Sequence, residues 1–367
     1  MFDHKSLLKR LVESESPSAD KAAVDRLAAI VAEQARSLGA QVQSVPESRA
    51  GDHLIARFTP PGGGEGGVEA ILLLCHMDTV FPLGTLEHMP YREEGERIRG
   101  PGVLDMKAGI VIALAALAEL GTDLRRPVTL LCTSDEEVGS PTARKVIEGM
   151  AQESDLVLVL EPARPDGALK TWRKGVGRFE LRAHGRAAHA GGAHAEGVNA
   201  IEEMAHQVLA IQKMTDYEDG ITFNVGVLHG GTVSNVVPEL AVARVDVRVQ
   251  QPGQWEQVHA AMLALRPALE GASLEVHGEL NRPPMPFDER AQSTFARAQA
   301  IAAGIGMQLV AGGSGGGSDA NFVAALGIPV LDGLGATGEG LHSEREYILA
   351  DSLSQRTRLL AALLQEW

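Results

Sequence analysis

Three short apolar runs in the N-terminal half of this sequence each end at, or just before, histidine or acidic residues. The runs are residues 71–75 (ILLLC), 128–132 (VTLLC) and 156–160 (LVLVL). Continuous apolar runs of this length are typical of parallel β-strands that are covered on both faces. Because ligands bind outside the carboxyl ends of such strands in open α/β sheets, the pattern predicts a polar site at one edge of a buried, mainly parallel sheet.

The length of the chain and a change of pattern in its second half predict two domains. A chain of 367 residues exceeds the size at which a single hydrophobic core usually stops growing. Between residues 175 and 285 the predicted order is strand, helix, strand, strand, helix, strand, which is a ferredoxin-like βαββαβ unit. Its second helix is expected over Gln254 to Glu270. We therefore expect an α/β domain formed by residues 1–174 and 286–367, with the ferredoxin-like domain, residues 175–285, inserted into it.

Charge and composition exclude several classes of partner. The sequence carries 33 basic and 48 acidic residues, a formal net charge of −15, which repels nucleic acid and anionic lipid. No apolar run approaches the roughly 18 residues of a membrane span, and the first residues lack the apolar core of a signal peptide. Cys75 and Cys132 lie inside predicted strands without a CxxC spacing, so both are expected to be reduced core residues. These features predict a cytoplasmic protein that binds neither nucleic acid nor membranes.

The adjacent carboxylates of Glu136 and Glu137 follow the second apolar run. At the end of a buried strand they repel each other unless a proton or a cation compensates them. One of the two can bind a metal ion while the other takes a proton from water whose pKa the metal lowers. The alternative is a solvated acidic turn that caps the next helix, and these residues by themselves leave both interpretations open.

Other candidate ligands lie in comparable positions. His76 ends the first apolar run, and the carboxylate of Asp78 lies on the same side of an extended chain, where it can accept the other imidazole N–H. Asp105 opens an apolar segment, Met106 to Leu120, that predicts a buried helix. This aspartate is either a helix N-cap or, through its two oxygens, a bridge between two cations.

The candidate ligands form a set that favours zinc. Two histidines and three carboxylates, without a usable thiolate, suit zinc, with cobalt or manganese as replacements. A single catalytic zinc takes three protein ligands plus water, whereas five ligands divide into two sets of three if one carboxylate is shared. We therefore expect two metal ions, held by His76, Asp105, one of the two adjacent glutamates, Glu161 and His342.

Seven motifs occur in order along nearly the whole chain. They are HMDTV (76–80), GPGVLDMKAG (100–109), SDEEVGS (134–140), LEP (160–162), HAGG (189–192), SGGGSDA (314–320) and LHSE (341–344). Together they resemble the di-zinc family that contains aminoacylases, acetylornithine deacetylase, succinyl-diaminopimelate desuccinylase and bacterial glutamate carboxypeptidase, and most closely its glutamate carboxypeptidase branch. The resemblance implies a zinc-peptidase catalytic domain with a mainly parallel sheet and an inserted ferredoxin-like lid that also serves dimerisation.

The same resemblance implies a role for each matching residue. Two zinc ions per subunit would be held by His76 and Glu161, by Glu137 and His342, and by a bridging Asp105. Glu136 would then be the general base, and Asp78 would orient His76. His189, on the lid, would stabilise the oxyanion by reaching across a homodimer into the partner's site. The alternative for His189 is an ordinary loop histidine.

Two further features concern the substrate. The backbone amides of Gly315, Gly316 and Gly317, just before a predicted helix, are expected to hold an anion, with a flexible glycine linker as the alternative. The resemblance implies that Asn235 and Arg248 contact a substrate carboxylate, for which the planar guanidinium is well suited. Ordinary polarity at a strand edge would also account for these two residues.

One departure from the family pattern concerns specificity. Glutamate-selective members carry a lysine a few residues after the glutamate of the LEP motif, where this sequence has GAL at residues 167–169. Glutamate specificity is therefore not implied. Lys170, Arg173 and Lys174 are close in sequence and could substitute, but a solvated basic strand end is the expected arrangement.

The favoured hypothesis is a di-zinc metallopeptidase that cleaves an amide bond and releases a C-terminal amino acid, as a glutamate-carboxypeptidase-like enzyme does. Its substrate would be a small peptide or an N-acyl amino acid. One alternative is an N-acyl amino acid deacylase of the acetylornithine deacetylase or desuccinylase type. Another is a non-catalytic, metal-stabilised binding protein, which the presence of Glu136 opposes because a purely structural metal needs no base beside it.

Overall fold

The computed structural model describes residues 2–60 and 70–367. The segment 60–67, whose glycines and prolines predict a surface loop, lies outside the described residues except for Pro60. The chain divides into two compact units. The first comprises Met1–Trp172, Phe287–Ser314 and Ser318–Trp367, and the second comprises Arg173–Pro286 and Gly315–Gly317.

The chain runs through the first unit, continues into the second and returns to the first. The N-terminal elements are helices α1 (His4–Glu13), α2 (Lys21–Ser37), α3 (Ala108–Leu120) and α4 (Arg144–Gln152), and strands β1 (Gln41–Val45), β2 (His53–Phe58), β3 (Ile71–His76), β4 (Arg92–Glu94), β5 (Arg97–Arg99), β6 (Val128–Thr133), β7 (Leu156–Val159) and β8 (Leu169–Arg173). The second unit contains β9 (Gly175–His184), β10 (Ala188–His189), α5 (Ala200–Gln212), β11 (Thr222–Gly230), β12 (Val236–Val237), β13 (Leu240–Val249), α6 (Gln254–Leu263) and β14 (Ser273–Arg282). The C-terminal elements are α7 (Glu289–Gly304), β15 (Ala311–Ser314), α8 (Ala320–Ala325), β16 (Val330–Asp332), β17 (Gly338–Glu339), β18 (Tyr347–Leu349) and α9 (Ala350–Glu366).

The first unit is built on a six-stranded sheet in the order β1-β2-β6-β3-β7-β16. The central strand β3 pairs in parallel with β6 and β7, and β16 continues the parallel part, whereas β1 and β2 form an antiparallel edge. Every residue of β3 and β7 is buried, which is why these runs are apolar throughout. The α/β class with a mainly parallel sheet is confirmed. A second sheet, β17-β18-β5-β4, has strands of only two or three residues, too short to show a sequence periodicity.

The helix after Asp105 is confirmed as a buried element. Residues 108–117 of α3 are all buried, and this apolar helix contacts α1, α2 and α9. The N-terminal helices begin where aspartates cap them, because Asp3 and Asp20 accept hydrogen bonds from the first-turn amides of Ser6 and Ala23. Among the described helices, none combines the length and the apolar character needed to cross a membrane.

Apart from the two-residue strands β10 and β12, which pair with each other, the second unit has the predicted βαββαβ order. Its antiparallel sheet runs β11-β13-β9-β14, and its core contains residues from the sheet together with residues from α5 and α6. The prediction for α6 was wrong at its end, since the helix stops at Leu263 rather than at Glu270. Pro267 explains the difference, because proline cannot donate to a preceding turn and disfavours helical dihedrals at Arg266.

Candidate metal centre

His76 ends the parallel strand β3 and is only 2% exposed. Its two ring nitrogens face different partners. Nδ1 lies 3.0 Å from the backbone oxygen of Asp78 and 3.4 Å from Oδ1 of the same residue. Nε2 lies 3.0 Å from Oδ1 of Asp105 and 3.5 Å from Oε1 of Glu161. Asp78 therefore contacts the imidazole on one side, and two carboxylates contact it on the other.

The carboxylate of Asp105 lies between two histidines. Its Oδ1 lies 3.0 Å from Nε2 of His76, and its Oδ2 lies 3.1 Å from Nε2 of His342. The N-cap interpretation is wrong, because Lys107 is the residue before α3, no side chain caps that helix, and both carboxylate oxygens of Asp105 contact histidines instead. The peptide bond between Asp105 and Met106 is cis. With one oxygen directed at each imidazole, Asp105 has the arrangement expected of a bridging ligand.

Glu136 and Glu137 lie in one turn, Glu136–Val138, shortly after β6. Asp78 anchors this turn, because its Oδ1 and Oδ2 accept hydrogen bonds from the backbone N–H groups of Glu136 and Glu137, both at 3.1 Å. The side chain of Glu137 is 6% exposed, and its Oε2 lies 3.3 Å from Nε2 of His342. Its Oε1 is buried and forms no hydrogen bond within the described chain. Since α4 has no side-chain cap either, the solvated capping turn is wrong for Glu137.

The pKa values at this site are shifted by the titratable groups that lie close to one another. Burial alone would lower the pKa of His76, but its contacts with Asp105 and other carboxylates raise it well above the ordinary value. Contacts with Asp105 and Glu137 raise the pKa of His342 to about 11. Burial would raise the pKa of Asp105, yet hydrogen bonds from the two histidines hold it well below its usual range. A site that favours protonated imidazoles so strongly favours positive charge in general.

The candidate ligand atoms are spaced as a metal site requires. One atom from each of His76, Asp105 and Glu137 lies within 4.8 Å of the others. Two ligands about 2.1 Å from a tetrahedral zinc lie roughly 3.4 Å apart, and the four histidine–carboxylate contacts of the two sets measure 3.0–3.5 Å. The donors form two sets that share Asp105, namely His76 with Glu161 and His342 with Glu137. These residues therefore fit a centre of two metal ions.

Two buried titratable residues near Asp105, Glu346 and Lys107, were not identified from the sequence. Glu346 is fully buried, and its Oε1 accepts hydrogen bonds from the backbone N–H groups of Leu104 at 2.7 Å and Asp105 at 3.1 Å. Burial, followed by the charge of Asp105, raises the pKa of Glu346 to about 8. Lys107 is 1% exposed and donates to a backbone oxygen of the loop after α1 at 3.1 Å. Their positions in the sequence could have identified them, because Lys107 lies inside the GPGVLDMKAG motif and Glu346 lies just after LHSE.

The expected solvated basic strand end after the LEP motif is wrong for Lys170 and Arg173, which are buried. Lys170 is 7% exposed, and its Nζ lies 3.9 Å from Oε2 of Glu161. Arg173 is 2% exposed and donates to the backbone oxygens of Gly316 and Gly317 at 3.2 and 3.3 Å. Both residues belong to β8, which pairs with β15, and this pairing keeps the segment out of water. A lysine ammonium therefore lies beside one of the candidate metal ligands.

Within the second unit, the structure brings His189 and Asn235 close together. The backbone oxygen of Asn235 accepts a hydrogen bond from the N–H of Ala190 at 3.0 Å. His189 is exposed, and its Nδ1 accepts hydrogen bonds from the N–H groups of Gly191 and Gly192 at 3.1 and 3.0 Å. A neutral imidazole that accepts at Nδ1 carries its proton at Nε2. The exposed nitrogen of His189 is therefore a hydrogen-bond donor.

Arg248, on β13, is paired with a carboxylate of its own strand. Its Nε and Nη2 donate to the two oxygens of Asp246 at 2.7 and 2.9 Å. This is the bidentate geometry by which arginine recognises carboxylates. The structure does not test the expected substrate contacts of Arg248, Asn235, His189 and Gly315–Gly317, which stay predictions.

Comparison with known proteins agrees with this arrangement. Residues 72–366 match peptidase family M20/M25/M40. The chain belongs to this family. Carboxypeptidase G2 of Pseudomonas sp. (strain RS-16) is 31% identical over 372 residues, which cover 98% of this chain and 88% of that protein. Acetylornithine deacetylase of Klebsiella pneumoniae (strain 342) is 31% identical over 265 residues, 66% of each protein.

Solved structures confirm the fold of this M20 chain. The aminopeptidase PepT from Bacillus cereus ATCC 10987 has a TM-score of 0.79 at 22% identity, covering 100% of this chain and 99% of that one. The YXEP protein of Bacillus subtilis, described as a dinuclear metal-binding peptidase of the M20 family, has a TM-score of 0.71 at 18% identity, covering 99% of this chain and 96% of that one. By its family, this chain is a metallopeptidase or amidohydrolase, and the resemblance inferred from its seven motifs is confirmed.

Proposed function

We propose that this M20 enzyme is a carboxypeptidase that hydrolyses an amide bond and releases an amino acid with a free α-carboxylate. The observation that carries the proposal is the position of Asp105, whose two oxygens lie 3.0 and 3.1 Å from Nε2 of His76 and of His342. The similarity to carboxypeptidase G2 along 98% of the chain supports the choice of a carboxypeptidase within the family.

The proposed resident cofactor is a pair of zinc ions, for which cobalt or manganese can substitute. Asp105 would bridge the pair, with His76 and Glu161 on one ion and Glu137 and His342 on the other. When bound, the ions polarise the scissile carbonyl and lower the pKa of the attacking water. The buried ligand side chains need no further partner once a cation compensates their charge, which accounts for the orphaned Oε1 of Glu137.

Glu136 is the proposed general base. Glu137 contacts His342 and is assigned to the metal, and the neighbouring carboxylate of Glu136 would accept a proton from water and pass it to the leaving amine. Asp78 fixes the position of this base through the backbone N–H of Glu136 at 3.1 Å, and it also contacts His76. A single buried aspartate thus positions both a proposed ligand and the proposed base.

The proposed substrate contacts come from the second unit. His189 would donate a hydrogen bond from Nε2–H to the oxyanion, in the partner's site of a homodimer, and Asn235 and Arg248 would hold the substrate's α-carboxylate. The backbone of Gly315–Gly317 would add further donors. Because Arg248 is engaged with Asp246, a substrate carboxylate has to compete with or share that bidentate contact.

We also propose a cytoplasmic location, supported by the free, buried Cys75 and Cys132, since disulfides are rare in that compartment.

A second candidate function is the deacylation of N-acyl amino acids, which the 31% identity to acetylornithine deacetylase favours. Both activities release a free amino acid, and they differ in whether the group on the other side of the amide is an acyl group or a peptide. A non-catalytic binding protein is opposed by Glu136, which a structural metal would not require.

A hydrolysis screen with the zinc-loaded protein tests these functions. Its substrates are N-acetyl amino acids, dipeptides, tripeptides and the same peptides with a C-terminal amide. We expect the C-terminal residue to be released from free-acid peptides. Preference for N-acetyl amino acids over all peptides would favour the deacylase. Equal hydrolysis of amidated and free-acid peptides would exclude a carboxypeptidase and point to an aminopeptidase.

A further inference from the structure

The first unit contains a cavity of about 480 Å³ that is lined by none of the proposed metal ligands. Its walls come from the loop 165–167, from residues 307–310, from Thr337 and from the first two turns of α9. We propose that this cavity binds a free α-amino acid with an apolar side chain, at a site separate from the catalytic centre.

Arg356, on α9, provides the group that would bind the carboxylate. It lines the cavity and is only 6% exposed. Its Nη2 donates to the backbone oxygen of Gly167 at 2.6 Å and lies 3.5 Å from Oγ1 of Thr337. Among the described residues no carboxylate lies within ion-pair distance of its guanidinium, and burial lowers the pKa of Arg356 to about 10. A buried cation without a counter-charge is costly, so a carboxylate within reach of this guanidinium would be stabilised.

The N-terminus of α9 adds to this preference for an anion. The helix is 17 residues long, and no side chain caps its first turn. The partial positive charge of the helix N-terminus lies near Asp351 and Ser352, both of which line the cavity, and the carboxylate of Asp351 in the first turn offsets part of it. Side chains on a helix tilt towards its N-terminus, which directs Arg356 to the same end. The dipole and the guanidinium thus act on one place.

The rest of the lining selects a zwitterion rather than a simple anion. The carboxylates of Glu96, Asp166 and Asp351 line the cavity, and all three residues are exposed. They repel a dianion such as phosphate and attract an ammonium group. The cavity also presents apolar side chains to solvent, including Val310 at 56% and Leu349 at 37% exposure. A carboxylate, an ammonium group and an apolar side chain together match these three kinds of lining.

Calorimetric titration of the zinc-loaded, full-length protein with L-leucine tests the proposal. Acetate, n-butylammonium and inorganic phosphate are titrated in parallel, because each carries only one of the relevant charges. Two variants address the cavity: Arg356→Met removes the cation, and Val310→Trp fills the cavity from an exposed position. Leu326→Trp is the matched control, since Leu326 is 37% exposed and does not line the cavity.

We expect leucine to bind the wild-type protein and the Leu326→Trp control, and to bind about ten- to a hundredfold more weakly to Arg356→Met, as the loss of a charge-assisted contact implies. Val310→Trp should lose the same binding, while all variants retain peptide hydrolysis. Leucine that binds as a product at the metal centre would still bind to both cavity variants. This binding is therefore distinguished from binding in the cavity. Unchanged leucine binding in Val310→Trp would overturn the proposal even if Arg356→Met failed to fold. Phosphate binding that depends on Arg356 and exceeds leucine binding would overturn the assignment to an amino acid.

Discussion

The buried carboxylate of Glu346 accepts a hydrogen bond at 3.1 Å from the backbone N–H of Asp105. The same short loop carries His342, whose Nε2 lies 3.1 Å from Oδ2 of Asp105. One segment near the C-terminus therefore holds both the backbone and the side chain of the proposed bridging ligand. The position of Asp105 depends on this loop as much as on the residues next to it in sequence.

Glu346→Ala is expected to lower the free energy of unfolding and to weaken metal binding, whereas Glu346→Gln should preserve both. Alanine leaves two buried N–H groups, those of Leu104 and Asp105, without an acceptor, at about 1–3 kcal/mol each. Glutamine retains a carbonyl oxygen that can accept both hydrogen bonds. Urea unfolding and zinc content after dialysis measure the two effects. If the glutamine variant loses as much zinc as the alanine variant, the charge rather than the hydrogen bonds of Glu346 is what matters.

Glu136→Gln is expected to remove hydrolysis while two metal ions stay bound, whereas Glu137→Gln should weaken metal binding itself. The reason is that Glu137 contacts His342, while Glu136 is the proposed base. Loss of a general base typically reduces the rate by about a hundred- to ten-thousandfold. Elemental analysis of both purified variants, together with their activities, measures this division. Equal metal loss in the two variants would show that the roles are assigned wrongly.

Two inactive variants are expected to complement each other if the enzyme is a homodimer with shared sites. His189→Ala lacks the proposed oxyanion donor and Glu136→Gln lacks the base. After subunit exchange, a mixed dimer would contain one site with both residues intact, so part of the wild-type activity should return. Activity is measured against unmixed controls, and light scattering gives the oligomeric state. A fully active protein that is strictly monomeric would rule out the arrangement.

Recognition of the substrate's α-carboxylate is expected to be decisive for catalysis. A charge-assisted arginine contact contributes about 1.5–3 kcal/mol, so amidation of the substrate should cost roughly ten- to a hundredfold in kcat/KM. Arg248→Ala should impose a similar loss on free-acid substrates and little on amides. Arg244→Ala is the control, because Arg244 lies on the same strand with its side chain 70% exposed. Equal losses in the two variants would argue against a specific contact by Arg248.

The ion pair between Lys21 and Asp52 is expected to give a small pH dependence of stability. The hydrogen bond from Lys21 lowers the pKa of Asp52 below its ordinary value of 3.8. Stability from a carboxyl with a depressed folded pKa is present above the ordinary value and is lost as the pH falls through the folded pKa. Asp52→Asn should therefore cost about 0.2–1 kcal/mol at pH 7, the usual range for a partly exposed pair, and less once the pH falls below the ordinary value of 3.8. The free energy of unfolding in urea, measured at pH 7 and at a pH below 3.8, checks this prediction. Glu33→Gln is the control for an exposed ion pair on α2.

The elements with a local cause could be predicted from the sequence. A strand covered on both faces is apolar along most of its length, so β3, β6 and β7 were recognisable as short, mainly apolar runs. A helix that is apolar all round has to be buried, which predicted α3. Each motif residue is a weak signal alone. Seven motifs in the same order are far more specific, and together they identified the family. The end of α6 was missed although its cause, Pro267, is local.

The contacts that assemble the centre were decided only by the tertiary structure. His342 lies 237 residues after Asp105, and nothing in either segment shows which oxygen of Asp105 it meets. The choice between an N-cap and a bridge at Asp105, the burial of Lys170 and Arg173, and the support from Glu346 also depend on what packs around each side chain. A sequence pattern specifies which residues carry charge and which segments are apolar. Whether a charge is buried, and beside which partner, is determined by long-range packing, because the cost of burial and the charges that offset it come from residues distant in the chain.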